Sequence, residues 1–294
     1  MLRKAMIAML LLEIAAAYSE LPTRSADAQT VDSTGANDIL NARIAVAALH
    51  GPIRLSTLTG VPERAILTGN VNGPDWSPSG DRLVYVDDRG GGEYALSVAD
   101  TLGATTQLPV PLRSTWPQYS RDGAWIYFFT QNDDPPQVYR ITPNGTGLQL
   151  LLPGSFPAPA PAGGRIAITV AGGVWVGDPV TRIGAIIPNT TSTAIATRWS
   201  PNGQWIAYRE RAGGGIVIIR PDGTGKRVIA APPIGGLSWS PDGNWLLGGN
   251  VDGGPLQLID TRTDVAVFLP VRGVYPVWRP SGSRLIVSAE AGGH

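Results

Sequence analysis

The chain of 294 residues contains no cysteine. Disulfide bonds, zinc–thiolate sites, a cysteine nucleophile and lipid attachment through an N-terminal cysteine are therefore excluded. Histidine is scarce too, since the two copies are His50 and His294, the last residue. A metal site built from several histidines cannot form, and a Ser-His-Asp triad would depend on His50 as its base. We accordingly expect no cofactor.

An excess of charge of either sign is also missing, because 23 Lys and Arg balance 23 Asp and Glu. This balance gives no electrostatic reason to expect nucleic acid or an anionic membrane as a partner. Hydrophobic residues make up 43% and charged residues 16%, which excludes disorder along the whole chain. The 37 glycines and 26 prolines require many turns, so the composition favours short strands over long helices.

The apolar stretch near the N-terminus, residues 5–17, is interrupted by Glu13 and is too short for a membrane span, which needs about 20 residues. A positively charged start, this short run and the small-x-small site Ala26-Asp27-Ala28 are typical of an export signal. We therefore predict a signal peptide over residues 1–28 and a flexible linker over 29–40. The mature protein is expected in the periplasm or outside the cell, as a monomer. The alternative is an amphipathic N-terminal segment of a cytosolic protein.

A ten-residue motif recurs six times, with spacings between 39 and 43 residues. The copies begin at Trp76, Tyr119, Pro159, Trp199, Trp239 and Trp278. A fuller copy reads Trp-Ser-Pro-Asp-Gly and continues into a short β-like run. A period near 40 with glycine-rich turns is typical of a propeller blade.

The residue preferences at several positions of the motif have physical reasons. The fifth is glycine in every copy, where the turn needs a positive φ: Gly80, Gly123, Gly163, Gly203, Gly243 and Gly282. Asp or Asn precedes this glycine in three copies, as expected for a tight turn between antiparallel strands. The aromatic residue at the first position is expected to pack between sheets, which makes core residues of Trp76, Trp199, Trp239 and Trp278.

Each repeat is predicted to form four strands, A to D, with the aromatic residue in A. Residues 41–69 supply strands B, C and D, and the C-terminus supplies A at Val277–Trp278 and B at Arg284–Ser288. The two chain ends thus complete one blade. We predict an all-β propeller of six four-stranded antiparallel blades over residues 41–290, followed by a tail at 291–294. Because B-like strands number seven, a seventh, incomplete blade is the alternative.

These residues carry a resemblance to a known family. The Trp-Ser-Pro-Asp-Gly motif at 239–243 and the Asp-Gly-Thr-Gly turn at 222–225 resemble the WD-repeat-like β-propeller repeat of the TolB family. The resemblance covers about residues 41–290 and implies the fold, while it says little about function. TolB proteins carry a small α/β domain before the propeller. About 12 residues separate Ala28 from the first predicted strand, so we expect neither that domain nor a role in the Tol–Pal system.

Strand polarity alternates, so the B–C and D–A loops share one face, here called the loop face. It varies between blades, and propellers usually bind their ligands on such a face. Its B–C loops are predicted to carry Asp87, Asp88, Asp133, Asp134, Arg209 and Arg211. Its D–A loops are predicted to place three aromatic residues at the mouth of the central channel: Trp116, Phe156 and Tyr275.

These candidates have functional and structural interpretations. The four aspartates could hold a cation or meet a basic partner, or they are solvated loop residues. The three aromatic residues could stack on a sugar or anchor a peptide, or they fill the top layer of the core.

Motifs of propeller enzymes are missing from the sequence. The segment Ser120–Trp125 departs from the sialidase spacing, and no Gly-x-Ser-x-Gly elbow is found. A glycosidase carboxylate pair stays open, because ring geometry can join distant acids. We predict a non-enzymatic module that binds a protein through the loop face and does not bind nucleic acid. The alternative is a propeller that binds or cleaves a glycan in the channel.

Overall fold

The computed structural model describes residues 43–47, 51–58, 62–211, 214–230, 235–250 and 252–280. The described residues form β-strands and no helix, which confirms the all-β prediction. The predicted signal peptide, linker and tail lie outside the described residues, as does the predicted strand Arg284–Ser288. Within the described part of the chain, no helix is long and apolar enough to cross a membrane.

The strands are short and follow one another closely. The first ten are β1 (Arg43–Ala47), β2 (Gly51–Thr57), β3 (Pro62–Trp76), β4 (Arg82–Asp88), β5 (Tyr94–Asp100), β6 (Thr105–Gln107), β7 (Ser114–Tyr119), β8 (Ile126–Thr130), β9 (Gln137–Ile141) and β10 (Gln149–Pro153). The next eight are β11 (Ser155–Pro159), β12 (Ile166–Val170), β13 (Gly173–Asp178), β14 (Ile183–Ile186), β15 (Ala194–Trp199), β16 (Ile206–Glu210), β17 (Ile216–Ile219) and β18 (Arg227–Ala230). The last five are β19 (Leu237–Trp239), β20 (Trp245–Gly248), β21 (Pro255–Asp260), β22 (Ala266–Arg272) and β23 (Tyr275–Trp278).

Four antiparallel sheets each contain four consecutive strands: β7–β10, β11–β14, β15–β18 and β19–β22. A fifth sheet has seven strands in the order β23-β1-β2-β3-β4-β5-β6. Its long strand β3 serves two sets of four, because its first part pairs with β2 and its last part with β4. Separate D and A strands were expected here. Gly69 and Gly73, with φ of 98° and 55°, allow one strand to bend from one set into the next.

The two ends of the described chain meet in this sheet. Strand β1 pairs antiparallel with β23, with Ile44 opposite Trp278 and Ala47 opposite Tyr275. The C-terminal strand therefore takes the first position of a set whose other strands come from the N-terminal part.

The aromatic column of the motif packs in the interior, as predicted. Trp76, Trp199, Trp239 and Trp278 expose only 4–7% of their surface. The turn that follows is also as predicted, since the glycine has a positive φ in each of the five described copies. In one copy the Ser200 hydroxyl donates to Asn202 at 2.8 Å and accepts the Trp205 backbone N–H at 2.9 Å. Gly282, the sixth copy, lies outside the described residues.

Candidate binding site at the channel mouth

Six strands surround a common space in the centre of the fold. Strands β3, β7, β11, β15, β19 and β23 each contribute residues to a cavity of about 160 Å³. One lining residue from each is, in chain order, Asp75, Gln118, Pro159, Arg198, Ser238 and Val277. These are the A strands of the predicted repeats, and we call the space that they enclose the central channel.

A second cavity, the mouth cavity, has a volume of about 280 Å³. It is lined by Thr115, Trp116, Phe129, Gln131, Phe156, Ile195, Ala196, Arg209, Arg211, Gly235, Val274 and Tyr275. These residues come from the starts of A strands and the ends of B strands, so the cavity opens on the loop face. Five of the nine residues predicted for the site line it, and they come from four different sheets.

The three predicted aromatic residues form one cluster in this cavity. The Trp116 ring centroid lies 5.2 Å from that of Phe156 and 6.0 Å from that of Tyr275, both edge to face. Phe129 extends the cluster, 4.9 Å from Phe156. All three predicted residues are half-buried and pack against the hydrophobic core. The three rings therefore pack in the top layer of the core and also line the mouth cavity.

A recurring β-bulge directs two of these three side chains, those of Trp116 and Phe156. The register of A with B shifts by the same step in β3, β7, β11 and β15. At each shift one residue has a positive φ: Gly73, Trp116, Phe156 and Ala196. A bulge turns a side chain out of the strand's alternation, and here it points toward the channel mouth. For a bulky residue this backbone conformation is strained.

Small residues occupy the same motif position in the other A strands. The position three residues before the aromatic column holds Gly73, Ala196 and Gly236 in three copies. A Cβ added at Gly236 would lie 2.8 Å from Tyr275 Cδ1, so that glycine leaves room for the tyrosine ring. Small residues at three of the six positions leave room for three rings in one mouth. The sequence column contains this mixture of large and small residues.

Two arginines complete the wall of the mouth cavity. Arg209 lies near the end of β16, and Arg211 directly follows that strand. Burial lowers the pKa of Arg209, the nearby Tyr275 raises it, and the like charge of Arg211 lowers it. Glu210, between them, turns away, because its Oε2 accepts hydrogen bonds from Thr191 and Thr193 at 2.9 and 2.6 Å. Among the described lining residues there is no carboxylate.

The four predicted aspartates do not line the mouth cavity. Asp87 Oδ2 lies 3.5 Å from Arg89 Nε. Asp88 accepts the Gly90 N–H at 2.9 Å, Asp133 accepts the Thr130 hydroxyl at 2.6 Å, and Asp134 is exposed. Within the described ranges, no three His, Cys, Asp or Glu side chains are grouped so that they could hold a metal ion. The fold thus brings the aromatic residues and arginines together and leaves the aspartates apart.

The predicted loop location is wrong for six site residues. The hydrogen-bonded ladder continues past the expected strand ends, as where Asp88 pairs with Tyr94. The strand residues are Asp87 and Asp88 in β4, Trp116 in β7, Phe156 in β11, Arg209 in β16 and Tyr275 in β23.

Sequence reasoning missed the charged residues inside the channel. Asp75 Oδ2 accepts the Tyr119 N–H at 2.8 Å. Burial raises the pKa of Asp75 to about 6, against the opposing charge of Arg198 and this hydrogen bond. Burial lowers the pKa of Arg198 to about 10, against the attraction of Asp75. The Arg198 guanidinium carbon lies 5.0 Å from the centroid of the Trp116 ring, which itself lines the mouth cavity.

A signal for these residues exists in the sequence. The position directly before the aromatic column is polar in four of six copies: Asp75, Gln118, Arg198 and Ser238. Those side chains bridge the inner strands. Gln118 donates to the Thr197 carbonyl at 3.1 Å, and Arg198 Nε donates to the Leu237 carbonyl at 3.0 Å.

The architecture is similar to that of solved TolB proteins. TolB from Acinetobacter baumannii has a TM-score of 0.70 at 16% identity, over 82% of this chain and 67% of that protein. A putative TolB from Agrobacterium tumefaciens has a TM-score of 0.58 at 18% identity, over 82% and 95%. An oligogalacturonate lyase in complex with manganese has a TM-score of 0.50 at 16% identity, over 74% and 69%.

Sequence comparison adds a local match. No family model matches the chain. A stretch of 98 residues, 31% of the chain, is 29% identical to an uncharacterized protein of Agrobacterium fabrum and covers 33% of it. The chain thus matches about a third of that relative's length. The structural comparisons show that this chain has a TolB-like β-propeller fold.

Proposed function

We propose that this chain is an exported, monomeric, non-enzymatic propeller of six blades that binds another protein through its loop face. The observation that carries this proposal is the mouth cavity, where an aromatic cluster and two arginines from different sheets meet at the end of the channel. Trp, Tyr and Arg are the residues that most often dominate protein–protein binding energy.

Six blades are supported by the pairing of the strands. The seven-stranded sheet divides at β3 into two sets of four, which join the four other sheets of four. Six A strands line the same cavity. Export to the periplasm or beyond is supported by the signal-like pattern of residues 1–28.

A binding role is supported by the strain at the mouth. A left-handed backbone at a bulky residue costs on the order of 1–3 kcal/mol, and such residues are concentrated at functional sites. Trp116 and Phe156 adopt it, with φ of 56° and 51°. Glycine would avoid this cost, and Gly73 occupies the equivalent position in β3.

A non-enzymatic role is supported by the chemistry of the cavity wall. Its described titratable and hydroxyl groups are two guanidinium groups, the phenol of Tyr275 and the hydroxyl of Thr115. Burial raises the pKa of Tyr275, while the nearby Arg209 lowers it. A group that stays protonated at neutral pH is poorly suited to act as a general base.

A capture experiment tests the proposal. The full chain is used to capture proteins from an extract of its own cell envelope. The loop-face variant carries Arg209→Gln and Arg211→Gln, the two charged residues that line the mouth cavity. The opposite-face control carries Arg121→Gln and Arg220→Gln, on the side of the A–B and C–D turns. We expect one protein to be retained by the wild type and the control and lost by the loop-face variant. Equal retention by all three would refute the loop-face location.

Glycan binding is the second candidate, and the aromatic cluster is the observation that favours it. Trp116→Ala and Tyr275→Ala should then abolish affinity for a sugar. The two arginines beside the aromatic cluster favour the protein partner, because Arg, Trp and Tyr together are typical of the residues that dominate protein–protein binding energy.

A further inference from the structure

We propose that the mouth cavity binds an acidic side chain on a protruding loop of the protein partner. Arg209 and Arg211 bind the carboxylate, and an apolar residue next to the acid packs on Trp116 and Tyr275. This inference rests on the proposed function and names the chemistry of the partner.

The charge of the cavity wall favours an anionic ligand. The charged residues among the described lining are Arg209 and Arg211, and both are positive. They lie close enough for the charge of Arg211 to lower the pKa of Arg209. An anion placed between two guanidinium groups relieves their repulsion and accepts charge-assisted hydrogen bonds from both.

The size and position of the cavity favour one or two side chains on a protruding loop. A cavity of about 150 Å³ holds a benzene molecule, and small-molecule sites usually start near 300 Å³. At about 280 Å³ the mouth cavity has room for one or two side chains. It lies at the channel mouth among residues of several different sheets, so a protruding loop reaches it more readily than a flat surface does.

The arrangement of apolar and charged groups favours an acidic residue with an apolar neighbour. Trp116, Phe156 and Tyr275 form one continuous aromatic wall, and the arginines stand beside it. An acid with an apolar neighbour matches both parts. The edge-to-face cluster fixes the shape of the site before binding. Preformed shape lowers the entropic cost of association.

The probe is an array of cyclic peptides whose turn carries Leu-Glu, Leu-Gln or Leu-Lys, with the other positions randomised. The full wild-type chain is compared with Arg209→Gln/Arg211→Gln, with Arg211→Gln alone, and with Asp133→Asn/Asp134→Asn as the matched loop-face control. Arg211 is exposed, so its single variant should fold even if the double variant does not. Oligogalacturonate fragments are tested beside the peptides as an acidic glycan.

We expect the wild type and the aspartate control to retain Glu peptides about tenfold more than Gln peptides. Both arginine variants should reduce this preference. Equal retention of Glu and Gln peptides, no retention, or a preference that survives the arginine variants would overturn the inference. If envelope capture still depends on the loop face, protein binding stands and acid recognition fails. Retention of the glycan without peptides would overturn both.

Discussion

At the scale of single residues, Asp75 couples the interior of the channel to pH. Its carboxyl is buried, and its pKa is raised from 3.8 to about 6. The folded state therefore holds the proton more tightly than the unfolded state between these pH values. The resulting stabilisation is complete below pH 4 and is lost as the pH rises through 6.

Asp75→Asn removes this titration and keeps an oxygen that can accept the Tyr119 N–H. One pKa unit corresponds to about 1.4 kcal/mol. Between pH 4 and pH 7 we expect the free energy of unfolding of the wild type to fall, relative to the variant, by on the order of 2 kcal/mol. Urea denaturation of both proteins across this range measures the difference. Parallel pH profiles would contradict a raised pKa of the Asp75 carboxyl in the folded state.

Much of the residue chemistry was predictable. The buried tryptophans and the turn glycines follow from the motif columns, and so does the grouping of Trp116, Phe156 and Tyr275. The role of Arg198 was not predictable from its neighbours along the chain. It depends on Asp75 and Trp116, which belong to two other inner strands.

At the scale of elements, the recurring bulge is the feature that turns inner-strand side chains toward the channel mouth. It takes one inner-strand residue out of the regular alternation and into a left-handed backbone. The sequence indicated a loop at this point, because a bulge and a loop both interrupt a period of two. Pairing with the neighbouring strand keeps the bulged segment within the sheet.

Ala196 and Ala207 test the bulge as a matched pair. Both are buried alanines in paired strands of one sheet, but only Ala196 has a positive φ, of 59°. The left-handed backbone costs an L-residue roughly 1–2 kcal/mol, a cost that glycine avoids. Ala196→Gly should therefore be less destabilising than Ala207→Gly by about 1 kcal/mol, measured by chemical denaturation. Equal losses would argue against the bulge conformation.

At the scale of the whole molecule, the chain ends hold the fold together. Strand β1 pairs with β23, so unfolding of either end removes a strand from the set that joins them. This closure was predictable from the repeat, because the incomplete units at the two ends complement each other. The sequence left six and seven blades open, since Arg284–Ser288 reads as a surplus strand.

Because the chain has no cysteine, an engineered disulfide between opposite residues can test the pairing of β1 with β23. Ala45→Cys/Val277→Cys joins the paired ends, and Ala167→Cys/Val176→Cys joins one hairpin as a control. A longer closed loop removes more entropy from the unfolded state. The closing disulfide should raise the free energy of unfolding by about 2 kcal/mol more than the control disulfide. Equal gains would contradict pairing of the ends as a global constraint.

A protein that binds at the channel mouth should lie within reach of a crosslinker placed there. Photo-crosslinking in living cells tests this binding most directly, with a benzophenone amino acid at Gln131 in the mouth cavity or at Asn144 in a turn of the opposite face. We predict one discrete adduct with another protein from position 131, weakened by Arg209→Gln/Arg211→Gln, and none from position 144. An equal adduct from position 144, or no adduct from position 131, would contradict protein binding at the channel mouth.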